Sequence, residues 1–406
     1  MNFLFRLSVI LLAMSIGACS VPSEPSVAPS NVTATGGESR VVVSWDIQPG
    51  LTYWLIYKQG TGNISLDDYD TILRGITAPV VISSLVNDTQ YTFAVMASNE
   101  GSKTGPLSSV IATPRLLSPS TPWTVGTPLT VNDLLSITFA SNRYVTVGNA
   151  ATVFVAPYSY TSTGGVTAWS QVTTLPITQS TNLSAVIHDG ARFVALGDDG
   201  SVITSTDSTT WVAATAITPT SALNALAINA GTYVAVGDSG EIYTNTSSGV
   251  TEAWTTQTSG TANNLYGVAF VNDRFIAVGA SGTLLTSTDG ISWTTQTSNT
   301  SNTLRQVAFG ANNYVAVGDA GAVVSSTDAT SWIAQSIPTT ESFRAITYGP
   351  DLQFIAVGTT GTLAYSLTGA NNSWAVSNAG VIELNSIASN DVFIATGAAG
   401  ANVSGK

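Results

Sequence analysis

The chain has 406 residues, enough for two or three domains, and only 9% of them are charged. Its 12 Lys and Arg residues against 24 Asp and Glu residues give a formal net charge of -12. Nucleic acid and anionic lipid surfaces are bound by clustered cations, so this composition argues against both as electrostatic partners. No motif in the chain predicts a metal ion or a cofactor, and we expect neither.

The N-terminus combines a short apolar run with a Cys. Arg6 precedes the apolar segment 7–16, which is too short to span a bilayer and is typical of a signal peptide, here residues 1–18. Residues 16–19, "IGAC", resemble a bacterial lipobox. The resemblance implies a lipid on Cys19 and, because Ser20 follows, an outer-membrane lipoprotein that faces the periplasm or the cell surface. The alternative is ordinary secretion with a chance Cys. Cys19 is the only Cys of the chain, which excludes intramolecular disulfides.

A Pro- and Ser-rich tether, residues 19–29, leads into a first module at residues 30–114. Short alternating runs predict strands at residues 31–35, 40–46, 52–59, 78–85, 90–98 and 107–113, which indicates a β-sandwich. Trp45, Tyr57, Leu85 and Tyr91 then resemble the core and corner residues of a fibronectin type III domain. That resemblance implies a spacer or an adhesion unit. We expect a spacer, with direct ligand binding as the alternative.

After a linker at residues 115–120, one pattern recurs to the C-terminus. Its clearest copy is "VAFVNDRFIAVGASGTLLTSTDGISW", residues 268–293. The glycines that end the second strand of each copy recur about every 40 residues, the period of a four-stranded propeller blade. They are Gly148, Gly197, Gly237, Gly279, Gly318, Gly358 and Gly397. The strand before each Gly is apolar at consecutive positions, which is typical of a strand covered on both faces. The sequence therefore predicts a seven-bladed β-propeller at residues 121–406.

The tryptophans give the same count. Two of the nine belong to the first module, and the others are Trp123, Trp169, Trp211, Trp254, Trp293, Trp332 and Trp374. Trp123 precedes the first copy of the repeat, whereas the last copy ends before a Trp of its own. We expect the strand after Trp123 to complete the last blade, because such closure removes two open sheet edges.

Three copies of the repeat carry an Asp four residues before the Trp. The pairs are Asp207 and Trp211, Asp289 and Trp293, and Asp328 and Trp332. These boxes resemble the Asp-box repeats of sialidase-like and Ycf48-type propellers, although the usual box is one residue longer. In that group the box lies on the face away from the ligand. We expect each Asp to accept turn amides and each Trp to pack under its hairpin, which is a structural role.

Catalytic residues are hard to find in the repeat. The resemblance to sialidases would require an Arg motif that the chain lacks. Three arginines instead begin second strands on the box face, as parts of the repeat: Arg143, Arg192 and Arg274. The glutamates share no motif, although glycoside hydrolysis needs two facing carboxylates. His188 is the only His, so a His-based triad is improbable, and we expect it at a strand end on the surface.

One constellation could bind a ligand. Asp198, Asp238 and Asp319 follow the strand-ending glycines, and Arg305 and Arg344 are the second residues of two neighbouring first strands. In propeller topology these positions share one face near the axis. Either each Asp caps its own turn, or the five residues form a rim for a protein, a peptide terminus, a glycan or Ca²⁺. The arrangement resembles Ycf48-type propellers, which use an Arg-bearing face on a client. That resemblance favours a protein as the partner.

The expected fold is therefore all-β, a fibronectin III-like sandwich followed by a seven-bladed propeller. The expected function is a non-catalytic binding or assembly scaffold on the cell envelope, with a protein or glycan partner. The alternative is a glycan-active enzyme of the sialidase or glycosidase type.

Overall fold

The computed structural model describes residues 25–37, 40–86, 89–99, 104–113, 123–159, 165–166, 168–247, 250–349, 353–371, 373–390 and 392–405. The chain divides into two compact units, Met1–Leu117 and Ser118–Lys406. The predicted signal peptide, Cys19 and the predicted linker lie outside the described residues. Among the described residues, helices are limited to short 3₁₀ turns, and none has the length and apolarity needed to cross a membrane. The prediction of an all-β chain is confirmed.

The first unit contains seven described strands in two antiparallel sheets. The strands are β1 (Thr33–Gly37), β2 (Arg40–Ser44), β3 (Thr52–Gln59), β4 (Thr71–Ile76), β5 (Val80–Ser83), β6 (Tyr91–Ser98) and β7 (Thr104–Ala112). Their order is β1-β2-β5 in one sheet and β4-β3-β6-β7 in the other. Alternate residues of both sheets, such as Val41 and Leu55, share one core, as the alternating pattern predicts. The sequence did not predict β4, whose residues are at most half-buried.

The second unit contains seven antiparallel sheets among its described residues. Sheet 1 holds β9 (Leu134–Ala140), β10 (Arg143–Gly148), β11 (Thr152–Ser159), β12 (Gly165–Val166) and β13 (Ser170–Gln171). Sheet 2 holds β14 (Leu183–His188), β15 (Phe193–Gly197), β16 (Val202–Ser205) and β17 (Val212–Ala213). Sheet 3 holds β18 (Leu223–Asn229), β19 (Thr232–Gly237), β20 (Ile242–Asn245) and β21 (Thr255–Gln257).

Sheet 4 holds β22 (Leu265–Val271), β23 (Arg274–Gly279), β24 (Leu284–Ser287) and β25 (Thr294–Thr295). Sheet 5 holds β26 (Leu304–Gly310), β27 (Asn313–Gly318), β28 (Val323–Ser326) and β29 (Ile333–Ala334). Sheet 6 holds β30 (Phe343–Tyr348), β31 (Phe354–Gly358), β32 (Thr362–Ser366) and β33 (Ala375–Asn378). Sheet 7 holds β34 (Leu384–Ser389), β35 (Phe393–Gly397), β36 (Asn402–Gly405) and, from earlier in the chain, β8 (Thr124–Val125). 3₁₀ turns occupy Asp238–Gly240, Ala280–Gly282, Asp319–Gly321 and Ala398–Gly400.

The sheets pack face to face around an axis. The first strand of each sheet contacts the first strand of the next, and β34 of sheet 7 contacts β9 of sheet 1. Five consecutive residues of each second strand are buried, for example Phe275–Gly279, because neighbouring sheets cover both of their faces. Burial of each large apolar side chain contributes roughly 1.5–3 kcal/mol. This arrangement is that of a β-propeller, as the repeat predicts.

The end of each second strand comes very close to the start of the first strand. At Gly318, a Cβ would overlap the carbonyl oxygen of Thr303, so only Gly fits there. The amide of the residue after the Gly, Asp319, then donates to the same carbonyl at 2.9 Å. The recurring Gly of the sequence therefore marks a close approach of two backbones.

A strand from the start of the second unit completes the last sheet, since β8 pairs with β36. Val125 pairs with Val403 and Thr124 with Ser404 in an antiparallel register. Asn385 of sheet 7 donates its side-chain amide to the carbonyl of Leu134 in sheet 1 at 3.0 Å. Residues more than 250 positions apart in the chain are thus joined by backbone and side-chain hydrogen bonds.

Candidate functional site

Three hairpins between third and fourth strands carry the box sequences. One carboxylate oxygen of Asp207 accepts the amides of Thr210 at 2.7 Å and Thr209 at 2.8 Å. Asp289 and Asp328 make the same pair of bonds, all at 2.8 Å. In each box, the Ser two positions earlier donates its hydroxyl to the Asp. The turn amides lower the pKa of these three carboxyls, because hydrogen bonds to the charged form favour it.

The box tryptophans close the hairpins from below. The indole N–H of Trp211 donates to the carbonyl of Ser208 at 3.0 Å, and that of Trp293 donates to Gly290 at 2.9 Å. Trp332 is 2% exposed, but its indole N–H has no hydrogen-bond partner among the described residues. Each box Asp therefore holds its own turn, and each box Trp packs in a core that its sheet shares with the preceding sheet.

The arginines at this end link neighbouring hairpins. Arg143 of sheet 1 donates to the hydroxyl of Ser208 in sheet 2 at 3.4 Å, and Arg274 of sheet 4 donates to the carbonyl of Asp328 in sheet 5 at 3.3 Å. Arg192 differs, since its nearest carboxylate, 3.5 Å away, is Asp189 of its own hairpin. The three arginines occupy equivalent positions at the start of second strands, as the sequence predicts, but among the described residues only Arg143 and Arg274 bridge to the next sheet.

The opposite end of the sheets surrounds the mouth of a central cavity. Every first strand carries a β-bulge near its start, where the register shifts by one residue against the second strand. A bulge re-aims one side chain. The bulged residues are Ser184, Asn224, Tyr266, Arg305, Arg344 and Asn385, with Leu135 in sheet 1. All of them line a cavity of about 580 Å³.

Two of the bulged residues are arginines that share one carboxylate. Arg305 donates through Nε at 3.0 Å and Nη2 at 2.7 Å to the two oxygens of Asp319. Arg344 donates through Nη1 to Asp319 at 3.3 Å and through Nε to Glu383 at 2.7 Å. The guanidinium of Arg305 also lies over the ring of Tyr266, 4.5 Å from its centroid. We call these five residues, which span sheets 4 to 7, the arginine row.

The other two predicted rim residues stay outside this row. Asp198 accepts the side-chain amide of Asn182 at 2.9 Å, and Asp238 accepts that of Asn224 at 2.8 Å. Neither of these bonds joins the carboxylate to an amide of its own turn. In sheet 2 the next residue, Asp199, caps the turn, since it accepts the Ser201 amide at 2.9 Å. Asp198 and Asp238 thus contact Asn side chains, and neither contacts an arginine of the row in the described part of the chain. A shared arrangement holds only for Asp319 with the two arginines.

Sequence reasoning missed Tyr266 and Glu383. Tyr266 occupies the same repeat position as Arg305 and Arg344, and comparison of that position across the copies would have found it. Glu383 immediately precedes its first strand and reaches Arg344 from 39 residues away. No spacing in the sequence marks that contact.

His188 lies at the end of a first strand, as predicted, and is half-buried. Its Nδ1 accepts the amide of Gly190 at 3.1 Å, which places the proton of the neutral ring on Nε2. Nε2 lies 3.4 Å from the hydroxyl of Ser141 and can only donate to it, so this pair cannot activate a serine nucleophile. Burial lowers the pKa of His188, while Asp189 acts in the opposite direction.

Among the described residues, no three His, Cys, Asp or Glu side chains come together in a way that could hold a metal ion. The acidic turn residues contact Asn or Arg side chains instead of each other. The arginine row thus offers hydrogen-bond donors to a ligand at the cavity mouth.

Comparison with solved structures places the fold among β-propellers. YCF48 bound to D1 peptide has a TM-score of 0.57 at 18% identity, with 70% of this chain and 94% of that chain covered. YCF48 from Cyanidioschyzon merolae has a TM-score of 0.54 at 17% identity, with 70% and 98% covered. The WD40 β-propeller domain of Doa1 has a TM-score of 0.57 at 13% identity, with 70% and 97% covered. At these identities the similarity shows the fold alone. No protein-family model and no curated protein matches the sequence.

Proposed function

We propose that this chain is a non-catalytic cell-envelope lipoprotein whose propeller binds a protein partner through the arginine row. The observation that carries the proposal is the pair of guanidiniums, held in fixed orientation by shared carboxylates, at the mouth of the central cavity. Ligand pockets commonly combine a concave surface with a few oriented polar groups.

We further propose a ring of seven blades, closed by the strand that follows Trp123. The seven consecutive sheets of the described residues and the pairing of β8 with β36 support it. For the first unit we propose a fibronectin type III-like spacer. Its strand order supports this, as does the hydroxyl of Tyr91, which accepts the amide of Val86 at 3.1 Å and so forms a tyrosine corner.

The choice of a protein partner rests on one of the similar structures. The YCF48 propeller is described as bound to D1 peptide, so a propeller of this shape can hold a polypeptide. For this chain the arginine row is the candidate contact surface. The anchor would be a lipid on Cys19 in the outer membrane, in agreement with the lipobox-like sequence.

Capture of the partner tests the proposal. The full chain with Cys19→Ser, which cannot be lipidated, serves as bait in cross-linked envelope extracts, beside a version with Arg305→Ala and Arg344→Ala. Arg274→Ala is the matched control, since it removes a guanidinium from the box end. We expect a specific partner to be captured by the bait and by the control, and lost from the double variant. Equal capture by all three would remove the arginine row from consideration.

Lipidation is tested separately. Cells that express the wild-type chain or Cys19→Ser are fed an alkyne fatty acid, and the chain is purified and labelled. Label on the wild type alone is expected. Absence of label from both would contradict the anchor and leave the binding proposal intact.

A further inference from the structure

The arginine row contains more hydrogen-bond donors than it uses. Each guanidinium carries five N–H donors. Arg305 uses two of them on Asp319, and Arg344 uses one on Asp319 and one on Glu383. The other three donors of each guanidinium have no partner among the described residues. Nη1 of Arg305 and Nη2 of Arg344 make no hydrogen bond among the described residues and are not among the buried atoms without a partner, so solvent reaches these two nitrogens.

The charge of the row is balanced. Two guanidiniums are matched by two carboxylates, and the side chains of Arg305, Asp319, Arg344 and Glu383 are 26–30% exposed. Further carboxylates lie at the same end of the sheets, in the turns that follow the second strands. Asp198, Asp199 and Asp238 make only amide and hydroxyl contacts, with no cation beside them in the described part of the chain. An anionic ligand would compete with Asp319 and Glu383 for the same guanidiniums and would approach an acidic surface.

From these two observations we infer that the arginine row recognises the uncharged backbone carbonyls of an extended polypeptide segment. Surplus donors select an acceptor-rich ligand, and the balanced charge removes the preference for an acidic one. Extended polypeptide presents a carbonyl on the same side about every 6.8 Å and needs no charged side chain to bind such donors. This inference rests on the proposed function, because it names the chemistry of the partner at the same site.

The tyrosine of the row supports the same assignment. Arg305 covers the Tyr266 ring, so the guanidinium plane is fixed by stacking as well as by Asp319. A preorganised guanidinium loses less entropy when it binds neutral carbonyl groups, whose individual bonds are weak. Tyr266 is therefore a positioning residue for Arg305.

Peptides that differ only in charge test the inference. An array of acetylated, C-terminally amidated eight-residue peptides without charged residues is probed with the full Cys19→Ser chain. The best peptide is resynthesised with a fluorophore, together with three charged forms of it. One form has a free C-terminal carboxylate, one carries two Asp residues and one carries two Lys residues. We expect the uncharged form to bind as well as the acidic forms, and its Kd to change less than about threefold between about 50 and 500 mM NaCl, since screening leaves neutral contacts intact.

Two substitutions at one position separate structure from recognition. Arg305→Asn keeps the link to Asp319 that Asn224 makes to Asp238 across the same interval of 14 residues, but it removes the surplus donors. Arg305→Lys keeps the positive charge but loses the planar set of N–H donors that the guanidinium presents. Both are expected to weaken binding of the uncharged peptide by about tenfold or more. Arg274→Lys is the control and should bind like the wild type.

Binding confined to acidic peptides and abolished by salt would overturn the inference while leaving the proposed function standing. Failure of every uncharged peptide, with the partner still captured through Arg305 and Arg344, would overturn it as well. Conversely, salt-insensitive binding of the uncharged peptide that Arg305→Asn abolishes would support it. The salt dependence is measured on the Cys19→Ser chain, whose propeller sequence is unchanged. This result therefore does not depend on whether an Arg305 variant folds.

Discussion

Trp123 should stabilise the attachment of β8 to sheet 7 more than the two-residue length of that strand suggests. The indole packs on the core cluster that sheets 6 and 7 share, and its N–H donates to the hydroxyl of Tyr365 at 2.6 Å. Gly405 fits directly against the ring, since a Cβ there would lie 2.7 Å from it. We therefore expect Trp123→Ala to destabilise the second unit.

The magnitude follows from the burial. Loss of a core Trp costs about 3–5 kcal/mol, and because Trp123 is only partly buried we expect the lower end, about 3 kcal/mol. The Tyr365 hydroxyl keeps the Ser377 hydroxyl as a partner at 3.3 Å, so no large penalty for a lone buried group is added. At about 2–4 °C per kcal/mol, Tm should fall by roughly 6–12 °C.

Urea unfolding followed by circular dichroism and calorimetry would measure both quantities. Val125→Ala is the control, because that side chain is 51% exposed and its loss should cost less than about 0.5 kcal/mol. A cost below about 1 kcal/mol for Trp123→Ala, or equal costs for the two variants, would refute the view that this residue secures the closure of the ring.

Three further changes test the repeat. Trp332→Phe should cost about 1–2 kcal/mol less than Trp211→Phe in urea unfolding, because Trp332 loses only an unpartnered buried N–H whereas Trp211 loses a bond to a backbone carbonyl. Gly267→Ala should cost about 1–3 kcal/mol by the same assay, because a Cβ there would overlap a carbonyl of the next first strand. The Asp289 carboxyl has a lowered pKa in the folded chain, so its contribution is complete above the unfolded-state value near 4 and is lost as the pH falls through the folded-state value. The difference in unfolding free energy between wild type and Asp289→Asn should accordingly be constant above about pH 5 and shrink below about pH 4, and a difference that grows with acid would contradict this assignment.

The propeller could be predicted from the sequence because its physical constraints repeat. Gly318 and five of its six counterparts are fixed by the same backbone approach, with Gly197 as the exception. The apolar run before each Gly is fixed by burial on both faces. These constraints act on neighbouring residues, so they leave a pattern in the chain. Strand β4 of the first unit leaves none, since its edge position buries no residue deeply.

The candidate site was predictable only in part, because its contacts join different sheets. Arg305, Arg344 and Asp319 could be placed on one face from topology, but the choice of Asp319 over Asp198 depends on which sheets carry the arginines. Glu383 enters through a side-chain contact from sheet 7 to sheet 6 that has no local signal. A bulge is likewise a matter of register, which the sequence pattern does not reveal.

The bulged position shows how a residue that links two strands can also present free donors to the cavity. Asn224 uses its amide on Asp238 of its own sheet and on the carbonyl of Leu265 in the next, so its donors are consumed within the fold. Arg305 makes the equivalent bond to Asp319, yet its larger head keeps donors that face the cavity. Replacement of an amide by a guanidinium therefore preserves the link and leaves unused hydrogen-bond donors at the same place. In a repeat, the positions worth searching for function are those where a larger side chain retains the contact that smaller ones make in the other copies.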